Sequence, residues 1–496
     1  MQKTGIMCVA LTDTEYTVKE FDNGKNSLSI ISEKIKKFNP EITHCYIQEN
    51  NKNISEYKKY FENLKTIKSD IFSLLNSVKD DFTGCDNVII LHTNEPLVDF
   101  SVVNKLIEMH VQNIADYTMS ENYPGGISPA VISYDTLKKI SLISSGNNEF
   151  YHKNSIFNII SMDINSYDIE VNISPNDMRR DRLDLFTDTK RNFLICNNVI
   201  NQLEEETLNF DEIYNLIKKD PRVIRTLPAY IEIEITGDCN LSCVMCPRKR
   251  SGRLDKYMDF SDFKKIIKDI HVTCNDAVVC LSGMGEPFLH PDIIKMIDFV
   301  INRTPLKLII ETSGYNINKK IADKVLKLFN SALHIIFSIE SVNSKAYSGI
   351  RGKDVFTQVE NNIDYYISRQ TENTFLQFVK MSNNEDMLDE FYERWSKYQE
   401  RIIITQYNDF RKELAKDSSH DLSPINRFPC WHLKRDMYIN VNLDVMRCKQ
   451  DYRAEHVIGN AVNDGIHNCF MANEDYYFTD YTAGASEYCL DCNEYY

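Results

Sequence analysis

Cys239, Cys243 and Cys246 stand in the stretch Ile235-Thr-Gly-Asp-Cys-Asn-Leu-Ser-Cys-Val-Met-Cys-Pro-Arg248, with three residues between the first pair and two between the second. Cysteine thiolates are the usual protein ligands of iron–sulfur clusters. A four-iron cluster held by only three of them keeps one iron open to another ligand. That open iron turns a structural site into a reaction site. Spacing alone leaves a zinc or redox loop as an equal reading, because Cys-x2-Cys pairs also bind zinc. A second set lies near the end of the chain: Cys430, Cys448, and the Cys-x2-Cys pair Cys489 and Cys492. Four thiolates suit either a zinc ribbon or a fully ligated cluster. Cys469 has no place in that spacing and reads as a bystander. Cys8, Cys45, Cys85, Cys196, Cys274 and Cys280 are isolated, mostly in apolar runs, and read as small core residues.

These loops need elements to position them. Candidate strands Tyr230–Ile235, Ala277–Ser282, Leu306–Thr312, Leu333–Ile339, Thr374–Lys380 and Arg401–Gln406 are nearly all apolar, as strands covered on both faces should be. Helical patterns fall between them at Asp259–Ile270, Lys319–Phe329, Asp354–Ser368 and Glu385–Tyr398. Six βα units in a row predict a partial parallel barrel, whose chemistry sits at the carboxyl ends of its strands. The first cysteine loop follows the first of these strands. Upstream, Ile6–Leu11, Thr43–Gln48 and Asn87–His92 read as buried strands, and Ser55–Lys65 and Val102–Gln112 as helices. That alternation predicts a second α/β layer with a mostly parallel sheet. The expected organisation is therefore an α/β domain over 1–200, a charged linker over 201–228, a barrel over 229–425 and a small cysteine-bearing domain over 426–496.

Composition bounds the function. The chain has 496 residues, 43% hydrophobic and 26% charged, which is enough to bury several cores. A net charge of −15 argues against a general nucleic-acid binder. Met1-Gln-Lys-Thr-Gly5 leads straight into a short apolar strand, and no apolar run approaches the roughly 18 residues of a membrane span. A soluble, cytoplasmic protein with no membrane partner is expected, and its fourteen cysteines are then metal ligands and core rather than disulfides.

The segments after the cysteine loop decide between its readings. Ser282-Gly-Met-Gly-Glu-Pro287 follows the second barrel strand, Glu311-Thr-Ser-Gly314 ends the third, and Ser338-Ile-Glu340 ends the fourth, with Arg351-Gly352 beyond it. Together with the cysteine loop, these resemble the radical S-adenosylmethionine (SAM) superfamily. The resemblance implies a 4Fe–4S cluster on Cys239, Cys243 and Cys246, whose open iron binds the methionine moiety of SAM. Reductive cleavage of SAM then gives a 5′-deoxyadenosyl radical that takes hydrogen from a substrate. By the same resemblance, Gly283, Met284, Gly285, Glu286, Pro287 and Thr312 line the cofactor. Ser338 and Arg351 contact its carboxylate or ribose. Met245 replaces the aromatic residue often found near the adenine; its thioether can also lie against a ring. Such chemistry is anaerobic and needs a reductant such as flavodoxin or ferredoxin.

Phe428-Pro-Cys430-Trp431, Ile439 to Cys448, Ile458-Gly-Asn460 and Cys489-Leu-Asp-Cys492 resemble a SPASM or shortened twitch domain. That implies one auxiliary 4Fe–4S cluster on Cys430, Cys448, Cys489 and Cys492. Upstream, Val88 to Leu97, Ala115 to Thr118, Tyr123-Pro-Gly-Gly126 and Arg182 to Thr187 resemble cytidylyltransferases of the nucleotide-diphosphosugar (GT-A-like) fold. Yet Leu11-Thr-Asp-Thr-Glu15 has no glycine to cradle phosphate, and Asn94 and Phe186 stand where that family has metal aspartates. A degenerate, nucleotidyltransferase-like domain is expected. The whole arrangement resembles the spiro-SPASM family.

The first expectation is a radical SAM oxidoreductase or modifying enzyme, acting on a peptide or protein. A sugar or alcohol dehydrogenase or epimerase is the alternative. A nucleotidyltransferase and a non-catalytic iron–sulfur electron carrier remain as rivals. His432, Asp409 and Tyr407 are near-site residues that read first as structural.

Overall fold

The computed structural model describes residues 2–143, 149–204, 208–419, 427–492 and 494. The chain divides into two compact units, Met1–Thr226 and Leu227–Tyr496.

The first unit is built on a seven-stranded sheet: β1 (Thr4–Ala10), β2 (Ile42–Gln48), β3 (Leu64–Ile67), β4 (Asn87–His92), β5 (Tyr117–Glu121), β6 (Ala130–Ser133) and β7 (Ile169–Ile173). Its order is β3-β2-β1-β4-β6-β5-β7. The first four in that order are parallel, and β6 runs antiparallel to both of its neighbours. Alternate residues of β1 and β4 feed two separate cores: Met7, Val9, Val88 and Ile90 face one side, and Ile6, Cys8, Ile89 and Leu91 the other. This is why these strands read as unbroken apolar runs.

The helix expected over Ser55–Lys65 does not form. One turn, Ile54–Tyr57, is followed by β3, which pairs in parallel with β2 from Cys45↔Leu64 to Gln48↔Ile67. Tyr57 and Phe61 mimic a helical i, i+4 stripe and both are buried. The backbone groups on the free side of β2 nevertheless take the segment that follows, so tertiary pairing overrides local periodicity. Beyond Gln202, the helix Phe210–Lys219 is capped by Asn209 and buries Phe210, Ile213 and Ile217.

The second unit carries β8 (Tyr230–Ile233), β9 (Val278–Leu281), β10 (Lys307–Thr312), β11 (Leu333–Ser338), β12 (Thr374–Lys380) and β13 (Ile402–Gln406) as neighbours in sequence order, all parallel. Helices Phe260–Thr273, Ile293–Arg303, Lys319–Leu328 and Phe356–Ile367 fall between them. The segment Glu385–Tyr398 is not one helix. It splits into a 3-10 turn, the helix Leu388–Arg394 and a further 3-10 turn.

The expectation of strands covered on both faces needs correction. In β10, β11 and β12, fully buried residues alternate with half-buried ones. One face packs under helices through Leu308, Ile310, Ile335, Phe337, Leu376 and Phe378. The opposite face carries Glu311, Ser338 and Gln377, as the inner wall of a curved sheet around a cavity should. On the other side of β8 the same sheet continues through β14 (Asp436–Ile439), β15 (Asp444–Met446) and β16 (Val457–Asn460). β14 is parallel to β8, and the last two strands are antiparallel. The C-terminal cysteine region thus shares its sheet with the barrel strands.

Candidate active site

The loop after β8 is held at its root by charge. Glu234 accepts two hydrogen bonds from Arg253, at 2.8 and 3.2 Å, with both side chains buried. The same carboxylate accepts the backbone N–H of Met284 at 3.1 Å. One buried pair therefore fixes both the cysteine loop and the glycine-rich segment after β9. The loop itself docks on the end of the helix Ser344–Arg351. Ser242 N–H donates to the Arg351 carbonyl at 3.0 Å, and Val244 N–H to that of Ile350 at 2.9 Å. Gly352 ends the helix at φ +73°, and a Cβ there would lie 2.8 Å from the Ser242 carbonyl. Glycine is needed for both reasons.

Cys239, Cys243 and Cys246 line a cavity of about 240 Å³ together with Met245, Ser282, Gly283, Met284, Gly285, Glu286, Glu311, Thr312, Ser313, Ser338 and Arg351. Pro287 is not among its lining; it is buried at the start of a 3-10 turn. Gly285 approaches the cysteine loop closely, since a Cβ would lie 2.0 Å from the Thr236 carbonyl and 2.9 Å from that of Asp238. Glu286 is a staple. Its carboxylate accepts from Thr312 Oγ1 at 2.7 Å and from Ser313 N–H and Oγ at 2.9 and 2.7 Å, tying the β9 loop to the end of β10.

Arg351 places Nη1 3.5 Å from Cys243 Sγ and donates through Nη2 to the Ser338 carbonyl at 2.7 Å. It also pairs with Glu340, which is fully buried at φ +55° and accepts from Ser338 Oγ at 2.6 Å. The expected cofactor contacts Ser338 and Arg351 therefore both meet the cavity, coupled through a residue to which sequence reasoning assigned no role. Its only signal was its place at the end of a barrel strand. Glu234, Arg253 and Glu311 were likewise missed.

Burial pushes the Cys239 thiol up to about 12 and that of Cys246 to about 11. Such thiols are inert as nucleophiles at neutral pH, and a metal cation is the usual partner that displaces their proton. Three converging thiols, a cradle that a Cβ would fill and a guanidinium beside one sulfur fit a cluster with a small cofactor on its open iron. Met245 packs with Ile350, Met381 and Tyr407. Tyr407 donates to the Ala415 carbonyl at 2.8 Å and Asp409 accepts from Lys412 N–H at 3.0 Å, so both serve the loop.

Cys430, Cys448, Cys489 and Cys492 line a second, much tighter cavity. Cys430 N–H donates to Asp480 at 2.6 Å. Burial raises Cys448 to about 12 and Cys492 to about 11. His432 shares this lining and hydrogen-bonds Asp436 at 2.5 Å. Cys469 packs instead under Gly459, where a Cβ would meet its sulfur at 2.6 Å.

In the first unit, Asn94 is fully buried after β4, with no hydrogen-bond partner for its side chain among the described residues. The Lys153 ammonium sits 2.8 Å from the centre of the Phe186 ring. Asp13, in the loop after β1, accepts hydrogen bonds from Tyr57 and Thr93.

Residues 233–394 match the Radical SAM superfamily. That stretch is a radical SAM domain. The chain is 28% identical over 360 residues to an uncharacterized protein of Treponema pallidum (strain Nichols), covering 69% of this chain and 97% of that one. Over 127 residues it is 27% identical to the antilisterial bacteriocin subtilosin biosynthesis protein AlbA of Bacillus subtilis (strain 168), covering 26% of this chain and 28% of AlbA. Over 141 residues it is 28% identical to the GTP 3′,8-cyclase of Vibrio parahaemolyticus serotype O3:K6 (strain RIMD 2210633), covering 27% and 40%. A radical SAM domain works with a 4Fe–4S cluster and SAM. No helix among the described residues is long and apolar enough to cross a membrane.

Proposed function

We propose that this chain reductively cleaves SAM and modifies a peptide or protein by hydrogen abstraction. The observation that carries the reading is the shared cavity of Cys239, Cys243, Cys246, the Gly283–Glu286 segment and Arg351 at the carboxyl ends of parallel strands. The three cysteines hold the 4Fe–4S cluster, and its open iron with SAM supplies a 5′-deoxyadenosyl radical when both are bound. Gly283, Met284 and Gly285 present backbone to the cofactor, and Glu286 holds that segment against Thr312 and Ser313. Arg351 keeps a positive charge beside Cys243. Cys430, Cys448, Cys489 and Cys492 hold an auxiliary 4Fe–4S cluster with full protein ligation, suited to passing electrons rather than binding substrate. A peptide or protein substrate is favoured by the relative AlbA, which serves the biosynthesis of a bacteriocin. The unit Met1–Thr226 serves binding or docking.

The test is 5′-deoxyadenosine formation by anaerobically reconstituted protein with SAM and dithionite. A variant with Cys239, Cys243 and Cys246 all changed to alanine runs beside it. Wild type should contain about eight irons per chain, as two four-iron clusters require, and make the product; the variant should hold about four and make none. Deuterium transfer from a labelled peptide into 5′-deoxyadenosine identifies the substrate class. Transfer from a labelled sugar instead would replace the peptide reading.

A further inference from the structure

The cavity of the four C-terminal cysteines has a strongly cationic wall. Arg411, Arg427, Arg447 and Lys449 line it, and Glu494 is its one carboxylate among the described residues. Two of these cations have an acid close by: Arg427 lies 3.6 Å from Asp480 and Lys449 lies 3.7 Å from Glu232. Arg411 and Arg447 have no ion-pair partner among the described residues. Each is held by aromatic faces instead. The Arg411 guanidinium sits 3.5 Å from the centre of the Tyr488 ring and donates through Nε to the Tyr488 carbonyl at 2.7 Å. That of Arg447 sits 3.8 Å from the Tyr476 ring centre and 4.7 Å from that of Tyr488. Arg447 is 6% exposed, and its Nε has no hydrogen-bond partner among the described residues. Of the two, Arg447 is buried and Arg411 half-buried, and ring faces give the buried guanidinium next to Cys448 no full counter-charge.

A cluster on four thiolates supplies one. Such a group is anionic, and taking up one electron makes it more so. Burial alone disfavours that extra negative charge and would depress the potential. A guanidinium fixed in the same low-dielectric pocket favours it, because charge–charge interactions weaken little there. The geometry points to Arg447, seconded by Arg411, as the residue that raises the reduction potential of the auxiliary cluster and so suits it to accept one electron. This rests on the reading that Cys430, Cys448, Cys489 and Cys492 hold that cluster. The aromatic clamp on Tyr488 is then a positioning device that keeps two like charges at the sulfur site.

The experiment uses the full chain with Cys239, Cys243 and Cys246 changed to alanine, so that only the auxiliary cluster remains. Its midpoint potential is read by redox titration followed by electron paramagnetic resonance. Arg447→Gln should lower the reduced-to-oxidised ratio at a fixed potential by about tenfold, which is a shift of about 59 mV to more negative values for one electron. Arg447→Lys keeps the charge and should stay near the parent. Should Arg447→Gln lose iron, Arg411→Gln gives the same reading and should shift in the same direction. A midpoint unmoved in a glutamine variant that retains four irons overturns the role of the arginines while leaving the cluster in place. A parent that binds no iron, or binds zinc, overturns the reading of the site itself.

Discussion

Glu234 and Arg253 show how much of the site depends on a pair outside the lining of the cysteine cavity. Both are buried, and together they hold the cysteine loop and the Met284 backbone. Removing one partner leaves the other charge buried and uncompensated, which costs about 3–5 kcal/mol. Arg253→Met should therefore lower unfolding stability by about that amount and weaken SAM binding, as denaturant titration and equilibrium dialysis would show. A second residue-scale expectation concerns pH. Burial pushes the Asp13 carboxyl up to about 6, against hydrogen bonds from Thr93 and Tyr57. Its folded value thus lies above the unfolded one. Between about pH 4 and 6 the native state holds the proton and the unfolded state does not, so stability falls as pH rises through that window. The loss is roughly 3 kcal/mol by linkage. Asp13→Asn should flatten the fall and stabilise the protein above pH 6, measured as denaturant midpoints across that range.

At the scale of elements, the helix Ser344–Arg351 is the platform for the cysteine loop. Its C-terminal turn receives Ser242 and Val244, and its last residue reaches Cys243. Gly352→Val would force a β-branched residue to φ +73° and drive its Cβ toward the Ser242 carbonyl. The loop should detach from the platform while the second cysteine cavity stays intact. Iron content should fall from about eight to about four per chain, and 5′-deoxyadenosine formation should be lost. Retention of about eight irons would show that the loop does not depend on this docking.

At the scale of the whole molecule, two units with separate cores divide at Thr226 and Leu227. Units with their own cores usually fold alone. A fragment of residues 1–226 should unfold cooperatively and bind no iron, whereas residues 227–496 should take up iron and cleave SAM. Cleavage of SAM without modification of the substrate by the second fragment would give the first unit a role in substrate docking. Loss of iron from that fragment would instead make the first unit a structural support.

The cysteine loop, the glycine-rich segment and the order of the barrel strands were legible in the sequence because each is local. A ligand spacing, a turn and an apolar run are all written in contiguous residues. What needed the tertiary structure is written across distance. Glu234 meets Arg253 from 19 residues away, and Arg351 meets Cys243 from 108. β3 exists because β2 offers backbone groups to pair with, so its local helical stripe misleads. The inner face of the sheet, with Glu311 and Ser338, separates from the packed face only once the strands curve around a cavity. The cationic wall around Cys448 has the same origin. Arg411, Arg427 and Arg447 look like ordinary surface charges in the sequence until folding turns them onto one set of thiols.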